Sequence, residues 1–478
     1  MITTKAFHGG TPHLTRFHRL LPPVAGFVLA TLLFSGHAAS KSGAGLPPEI
    51  LSFIKDKETQ AHALAKKLDV KVSPDVWAFF QTAQTGTTAS VTNAFERLKK
   101  RASQYEGSWD DPTVGTPVWQ TLIEVTLAVE AFGEGDPKYS LAFGKGVIDS
   151  IPPGSIYFGG TDPGRGLPTA LSKSHWAGDP FFTITQNALA DARYLDYLRA
   201  TYADKIRMPT TNEVQNAFGE FLSDAQKRFD HDRRSPAEPR QIKPGEDVRV
   251  IDGRIQVSGQ VAVMSVNALL AKIIFEANPS REFYIEESFP LDWMYPHLSP
   301  HGLIFKLNRE PLAALSEEVV RKDREFWIRQ QKAMIGGWLT PDTPVTDVCA
   351  FARKTFGQKN LSGFEGDRGF VENSYANKLY SKLRSSIGGL YLWRANNSKS
   401  PEERKRMTEE SDFAFRQAFA LCPYSPEAIF RYATLLASAD RIDDALRVAG
   451  TARILDADNA PLESLVSELT RQKGAKTK

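Results

Sequence analysis

The sequence predicts an α/β fold, in which a small, mostly parallel sheet with covering helices is flanked by helical regions on both sides. Three observations support this prediction. Short apolar runs that stop at glycines or polar residues alternate with helical periods over residues 151–310, a pattern typical of parallel sheets with covering helices. Apolar residues recur three and four apart over residues 40–150, as in amphipathic helices. The chain is helical again from residue 311, and a spacing of 34 residues recurs near its end.

The first 39 residues are typical of a secretory signal peptide. They hold three positive charges (Lys5, Arg16 and Arg19), then an apolar run of 11 residues at 24–34, then small residues, which is the order of such signals. The apolar run is shorter than the roughly 20 residues that span a membrane. We therefore expect a periplasmic or secreted protein. An uncleaved N-terminal membrane anchor is the alternative, and membrane contact is expected only in that case.

Net charge and cysteine content limit the possible partners. The formal net charge is +3, and loss of the signal peptide removes three positive charges and no acidic residue. The mature chain then lacks the basic bias of nucleic-acid-binding proteins, and no nucleic-acid partner is expected. Cys349 and Cys422 are the two cysteines. They could pair in an oxidising compartment or remain buried thiols, and the sequence leaves this open.

Four core strands, two covering helices and an excursion are predicted between residues 151 and 310. Each strand is a short apolar run ending at turn residues, and alternating apolar positions around an Asp-Gly pair predict a hairpin. The strands are expected at 155–158, 181–185, 281–289 and 302–308, the helices at 167–176 and 190–202, and the inserted helix and hairpin at 212–234 and 247–257.

The region 311–470 is predicted to be helical and to end in a short repeat. The segments AFALCPYS (418–425) and ARILDADN (452–459) align at an offset of 34 residues. A 34-residue period with paired helices is typical of tetratricopeptide repeats. About two units are visible, too few to bury their faces alone, so we expect them to pack on the rest of the chain.

Polar residues follow the predicted strands, and ligands of parallel sheets bind at the carboxyl ends of strands. We therefore predict a ligand-binding crevice at this edge of the sheet. An alternative is that these side chains only cap helices and satisfy loop amides. The candidate ligand-binding residues are Asp162, Arg165, Asn187, Asp191, Glu286 and Trp293.

The loop FGGTDPGR (158–165) does not fit a phosphate loop, because Arg165 and Gly166 stand where lysine and Ser or Thr are required. His297 and His301 are separated by Pro300, which disfavours a zinc site on one helical face. We predict no cofactor, no metal and no catalytic residue. A carboxylate pair for glycan hydrolysis could be drawn from Asp162, Glu286, Glu287 and Asp292. Glu286 and Glu287 should point opposite ways on a strand, so only one of them could serve.

Several of these segments also carry a resemblance. FGGTDPGR, TQNALAD, FYIEESFPLDWMYPHLSPHGLIFKLNREPL, YSKLRSSIGGLY and the closing repeat resemble the soluble C-terminal region of bacterial protein O-mannosyltransferase-like polytopic membrane proteins. The resemblance covers about residues 145–460. The multi-span portion that holds the lipid-linked sugar donor in such transferases is absent from this chain. The resemblance therefore implies an accessory soluble part, and no catalytic residue is carried over.

Together these features predict an exported, non-catalytic binding or scaffold protein of the cell envelope. The strand-end crevice would take a glycan, peptide or protein ligand, and the helical repeat would take a partner protein. The alternative is a glycan-active enzyme that uses Asp162 and Glu286 as its acid and base.

Overall fold

The structure is a computed structural model. It describes residues 46–102, 109, 111–133, 136–251, 254–287 and 290–476. The predicted signal peptide lies outside these residues. The chain forms two compact units that interleave along the sequence. The described residues up to Gly133, Pro153–Ile156 and Arg165–Arg281 make the first unit, and those from 136 to Pro152, Tyr157–Gly164 and Glu282 onward make the second.

The first unit is mainly helical, and local capping explains where several of its helices begin. Ser73 caps α2 and is followed by a proline at the first helical position. Thr210 and Glu213 form a reciprocal capping box at the start of α8, which satisfies two backbone N–H groups. The elements are α1 (Pro48–Lys67), α2 (Pro74–Thr85), α3 (Thr88–Lys99), α4 (Trp119–Gly133), most of α6 (Asp162–Leu171), α7 (Ala192–Tyr202), α8 (Thr211–Arg234), α9 (Gln260–Ala277), β2 (Phe182–Thr185), β3 (Asp247–Ile251) and β4 (Arg254–Ser258).

The second unit holds the rest of the sheet and the C-terminal helices. Its elements are most of β1 (Ile156–Gly159), β5 (Phe283–Glu286), β6 (Leu298–His301), β7 (Ile304–Leu307), α5 (Pro137–Ser150), α10 (Glu317–Ile335), α11 (Val345–Ala352), α12 (Arg368–Glu372), α13 (Ser374–Asn397), α14 (Pro401–Leu421), α15 (Pro426–Ser438), α16 (Ile442–Leu455) and α17 (Ala460–Lys476). A π-helical turn, Arg353–Gly357, follows α11.

The main sheet is mixed, not mostly parallel as predicted. Its strand order is β2-β1-β5-β7-β6, and β7 pairs antiparallel with both β5 and β6. The difference arises at β6, which the sequence did not predict. Gly302, at φ +62°, turns the chain directly from β6 into β7, and so short a connection can join only antiparallel strands. Pro300 lies in β6 at the end of the strand order, where a missing N–H is tolerated.

The four predicted core strands and the hairpin are all present; β2, β5 and β7 are shorter than predicted, β1 is shifted by one residue, and the hairpin ends one residue later. The hairpin pairs β3 with β4 antiparallel, from Asp247 opposite Ser258 to Ile251 opposite Arg254. A mixed α/β class with one small five-stranded sheet and many helices is therefore confirmed, and the sheet is small because its strands are only four residues long.

Helices α13 to α17 pack against one another in chain order. α14 and α16 end at Leu421 and Leu455, and α15 and α17 begin at Pro426 and Ala460, so both pairs of boundaries are 34 residues apart. Gly388 lets α13 approach α14 closely, because a Cβ there would lie 2.8 Å from the Phe415 ring. The segment before β6 packs against α13: Tyr295 stacks on Trp393.

Among the described helices, α9 has the length and composition of a membrane span, with a mean hydropathy of 1.4. Buried helices of soluble proteins share these properties, and 39% of α9 is buried, so this is weak evidence for a span. Cys349 and Cys422 are unpaired, buried thiols.

Candidate functional site

The six predicted ligand-binding residues divide between the two units. Arg165, Asn187 and Asp191 belong to the first unit, and Asp162, Glu286 and Trp293 belong to the second. We describe the two groups separately.

In the second unit, Glu286 ends β5 and lies against the loop that follows β1. Its Oε2 accepts a hydrogen bond from the Thr161 backbone N–H at 3.0 Å, and its Oε1 accepts one from the Thr161 hydroxyl at 2.7 Å. The Glu286 carbonyl accepts from the Gly160 N–H at 2.7 Å. The side chain is 1% exposed. Glu286 therefore closes the loop onto the sheet and presents no open carboxylate.

Thr161 links this carboxylate to the start of α6. Its hydroxyl accepts a hydrogen bond from the Gly164 N–H at 3.1 Å, which is the position of a helix N-cap. The alternative left open by the sequence, that candidate side chains such as Asp162 cap helices, does not describe Asp162. Asp162 is instead the first helical residue, exposed, where a negative charge is favourable at the helix N-terminus.

The glycines of this loop make room for two carboxylates. A Cβ at Gly164 would lie 1.6 Å from Glu286 Oε2, and one at Gly160 would lie 1.8 Å from Glu287 Oε2. Both glutamates therefore reach the same loop, contrary to the expectation that they point opposite ways. The period-two alternation fails because β5 ends at Glu286, so Glu287 is outside the strand.

The nearness of Glu287 and the burial of the site both change the pKa of Glu286. Burial and, after it, the charge of Glu287 raise the pKa of Glu286 to about 7, although the hydrogen bonds from Thr161 oppose the shift. Lys382, which forms an ion pair with Glu427 at 3.5 Å, also lowers it. The Glu287 carbonyl accepts a hydrogen bond from the Ser386 hydroxyl at 2.6 Å, which fixes the chain just after β5 to α13.

Trp293 lies in the helical turn after this loop, with its ring edge-to-face with His297 at 6.3 Å. Arg394 of α13 donates to the carbonyls of Pro296 and Leu298 at 2.8 and 3.1 Å. The aromatic segment is thus held against α13 by hydrogen bonds. This favours a structural role for its aromatic rings over a role as an open surface on which a ligand ring could stack.

In the first unit, Asn187 and Asp191 serve the turn between β2 and α7. Asp191 Oδ1 accepts from the Arg193 N–H at 2.9 Å, and the Asn187 carbonyl accepts from Asn267 Nδ2 at 2.9 Å. Asn267 also accepts from the Ala190 N–H at 2.7 Å. These contacts are internal supports of the turn.

Arg165 is placed differently, on the wall of a small, open polar recess. We call it the Arg165 recess. Gly166 allows α6 to approach α4 here, because a Cβ would lie 2.9 Å from Leu127 Cβ. The recess is far smaller than the roughly 300–1,000 Å³ of sites that enclose a small molecule, so it suits a single polar group at one end of a ligand. Its walls are formed by Gln120, Glu124, Leu127, Arg165, Gly166, Thr169, Thr183, Thr185 and Tyr194.

A buried charge pair lies behind this recess. Lys57, 1% exposed, forms an ion pair with Glu124, and the Tyr197 hydroxyl donates to Glu124 Oε1 at 3.0 Å. Burial lowers the pKa of Lys57, while Glu124 opposes that shift. Sequence reasoning missed this pair, although a lysine on the apolar face of α1, in line with Phe53 and Leu64, was a visible signal.

Two polar groups of the recess differ in their hydrogen bonding. The Tyr194 hydroxyl accepts from the Thr185 N–H at 2.6 Å, and burial raises the pKa of Tyr194 to about 12. The Thr183 hydroxyl, in a side chain only 6% exposed, has no hydrogen-bond partner among the described residues. A buried hydroxyl without a partner carries a free-energy cost that a ligand group could relieve.

In the described part of the chain, no group of three His, Cys, Asp or Glu side chains is placed to hold a metal ion. The sequence matches no family model. It matches no curated protein, and the structure matches no solved structure.

Proposed function

We propose that the chain is an exported, non-catalytic binding or scaffold protein of the cell envelope. It takes one end of a glycan, peptide or protein ligand at the Arg165 recess and a partner protein at its C-terminal helices. Export is inferred from the composition of residues 1–39. The resemblance to the soluble region of O-mannosyltransferase-like proteins fits an accessory role of this kind.

The observation that carries this proposal is that the Glu286 carboxylate is already used in hydrogen bonds within the protein. Both of its carboxylate oxygens accept hydrogen bonds from Thr161, and the side chain is buried. A general acid must reach its substrate within hydrogen-bond distance. Glu286 instead holds the loop to the sheet, which favours binding over catalysis.

The partner surface belongs to the later C-terminal helices. α13 is already occupied by the segment before β6. The 34-residue spacing of the boundaries of α14 to α17 supports a tetratricopeptide-like arrangement, and Ile454 on α16 is an exposed apolar side chain. We therefore assign partner binding to α15–α17.

Affinity capture from envelope extract tests the ligand site, with bound glycans and proteins both identified. Arg165→Ala should reduce capture of the recess ligand by about 10-fold or more, since a hydrogen bond to a charged group contributes about 1.5–3 kcal/mol. The matched control is Arg97→Ala, an exposed arginine of the same unit, which should leave capture unchanged. Unchanged capture by a folded Arg165→Ala protein would remove the recess from the proposal.

One observation favours the enzyme alternative with Asp162 and Glu286. A carboxyl group whose pKa is about 7 has the protonation state of a general acid at neutral pH. Incubation of the protein with envelope glycans would then release reducing ends, and Glu286→Gln would abolish that release. Absence of release by the unaltered protein would eliminate this alternative.

A further inference from the structure

The walls of the Arg165 recess hold more hydrogen-bond donors than their contacts within the protein use. The Thr183 hydroxyl belongs to a side chain that is 6% exposed, and it has no partner among the described residues. The Tyr194 hydroxyl accepts from the Thr185 N–H at 2.6 Å, a bond in which its own proton takes no part. Two hydroxyl protons on these walls are therefore available to an acceptor.

Arg165 adds a positive charge to the same walls. It also interacts within the protein, but a guanidinium has five N–H donors, so it can hold a ligand oxygen at the same time. Its charge reaches the Tyr194 hydroxyl and lowers the pKa of that group, against a larger rise caused by burial. The guanidinium and this hydroxyl therefore act on the same small space.

Glu124 is the acidic side chain of the recess, and its charge is already balanced. Lys57 forms an ion pair with it. Its Oε1 accepts hydrogen bonds from the Tyr197 hydroxyl at 3.0 Å and from Gln120 Nε2 at 3.3 Å. Glu124 therefore needs no cation from a ligand, and it repels an anion less than an isolated carboxylate would.

Walls of this kind fit a negatively charged group that accepts several hydrogen bonds. A carboxylate has about four acceptor positions on its two oxygens, and its charge-assisted hydrogen bonds are among the stronger ones. Because the recess suits a single polar group, the carboxylate has to stand at the narrow end of its molecule. An extended peptide ends in this way, whereas the carboxylate of an acidic sugar is attached to a bulky ring.

We propose that the Arg165 recess binds the C-terminal carboxylate of a peptide or protein, with Arg165, Thr183 and Tyr194 donating hydrogen bonds to its oxygens. This rests on the proposed function, which places one end of a ligand in the recess, and it narrows that ligand to the end of a polypeptide. Capture of a C-terminal carboxylate by a set of fixed donors is a recurring mode of peptide recognition.

Two matched peptide pools test the chemistry of the ligand. The full-length protein is incubated with N-acetylated hexapeptides of random sequence, which end in a carboxylate in one pool and in an amide in the other. The retained peptides are quantified by mass spectrometry. The carboxylate pool should be retained at least about 10-fold more than the amide pool, since hydrogen bonds to a charged group are the stronger ones. Equal retention, or no retention of either pool, would overturn the proposal. So would displacement of the peptides by oligogalacturonate, which would indicate an acidic sugar as the occupant.

Two threonine variants separate binding from stability. Thr183→Val removes the unpartnered hydroxyl and should reduce retention of the carboxylate pool by about 10-fold without loss of stability. The control is Thr121→Val, which removes a buried hydroxyl of the same unit that donates to the Val118 carbonyl at 2.7 Å. It should leave retention unchanged. Undiminished retention by Thr183→Val would show that the carboxylate does not bind at this recess.

Capture from envelope extract distinguishes the two possible failures. If the captured ligand depends on Arg165 while neither peptide pool is retained, the recess binds a ligand of another chemistry and only the C-terminal assignment is wrong. If Arg165→Ala leaves capture from the extract unchanged, the recess is not the ligand site, and the C-terminal assignment is wrong with it.

Discussion

Glu124 in the first unit and Glu286 in the second are both buried carboxylates, but their surroundings differ. Glu124 has a lysine partner, Lys57, and a tyrosine donor. Glu286 has a threonine hydroxyl, a backbone N–H and a second glutamate nearby. In the first unit the buried negative charge of Glu124 is thus paired with a positive charge. In the second unit Glu286 is held by neutral hydrogen-bond donors, and repulsion from Glu287 remains. We expect the first arrangement to depend on its cation and the second to depend on pH.

The largest effect is expected from removing the cation. Lys57→Met leaves Glu124 buried without its partner and should lower the free energy of unfolding by about 3–5 kcal/mol, measured by urea denaturation. Lys57→Met/Glu124→Gln, which removes both charges, should recover at least half of this loss. A single-variant loss below about 1 kcal/mol would show that the pair is not a buried one.

The next effect concerns pH and Glu286. Its folded pKa of about 7 lies above its ordinary value of 4.5, so between these values the folded chain holds a proton that the unfolded chain has released. Stability should therefore fall as pH rises from 4.5 to 7, and level off above, by roughly 3 kcal/mol for this group. The measurement is the difference in free energy of unfolding between the unaltered protein and Glu286→Gln from pH 5 to 8. A flat or rising difference would contradict the expectation.

A smaller effect is expected at the glycines that border the carboxylates. Gly164→Ala places a Cβ against Glu286 and should cost about 1–3 kcal/mol, as overpacking does. Gly450→Ala is the control, since a Cβ at this helical position meets nothing within 4 Å, and it should stabilise by up to about 1 kcal/mol. If both substitutions shifted the unfolding temperature in the same direction, Gly164 would not lie in close contact with Glu286.

The smallest effect separates two buried threonines of the first unit. Thr183→Val removes a hydroxyl without a hydrogen-bond partner and should be neutral or slightly stabilising. Thr121→Val removes a hydroxyl that donates to the Val118 carbonyl at 2.7 Å and should cost about 1 kcal/mol. Equal costs in urea denaturation would mean that Thr183 has a partner in solution.

Local pattern was enough to find most elements but not the strand that sets the sheet type. β6 contains Pro300 and follows an aromatic, proline-broken segment, so no apolar alternation marked it. Its formation depends on pairing with β7, which is a tertiary event.

The candidate site was predictable only in part, for a similar reason. Arg165 was found because it follows a glycine-rich strand end, but Gln120 and Glu124, which share its recess, come from α4. Nothing in the spacing connects two such distant segments. Gly160 and Gly164 were visible in the sequence, as were the adjacent Glu286 and Glu287. Their contact could be predicted only by knowing where β5 ends.

The interleaving of the units has a consequence for biosynthesis. Thr161 meets its acceptor Glu286 only 125 positions later in the chain, so a nascent polypeptide emerging from the ribosome cannot complete that loop early. Residues 157–164 must wait, as translation proceeds, for the whole of 165–281 to be made. The second unit therefore matures late, and a truncated product that stops before β5 would leave the β1 segment without its acceptor strand.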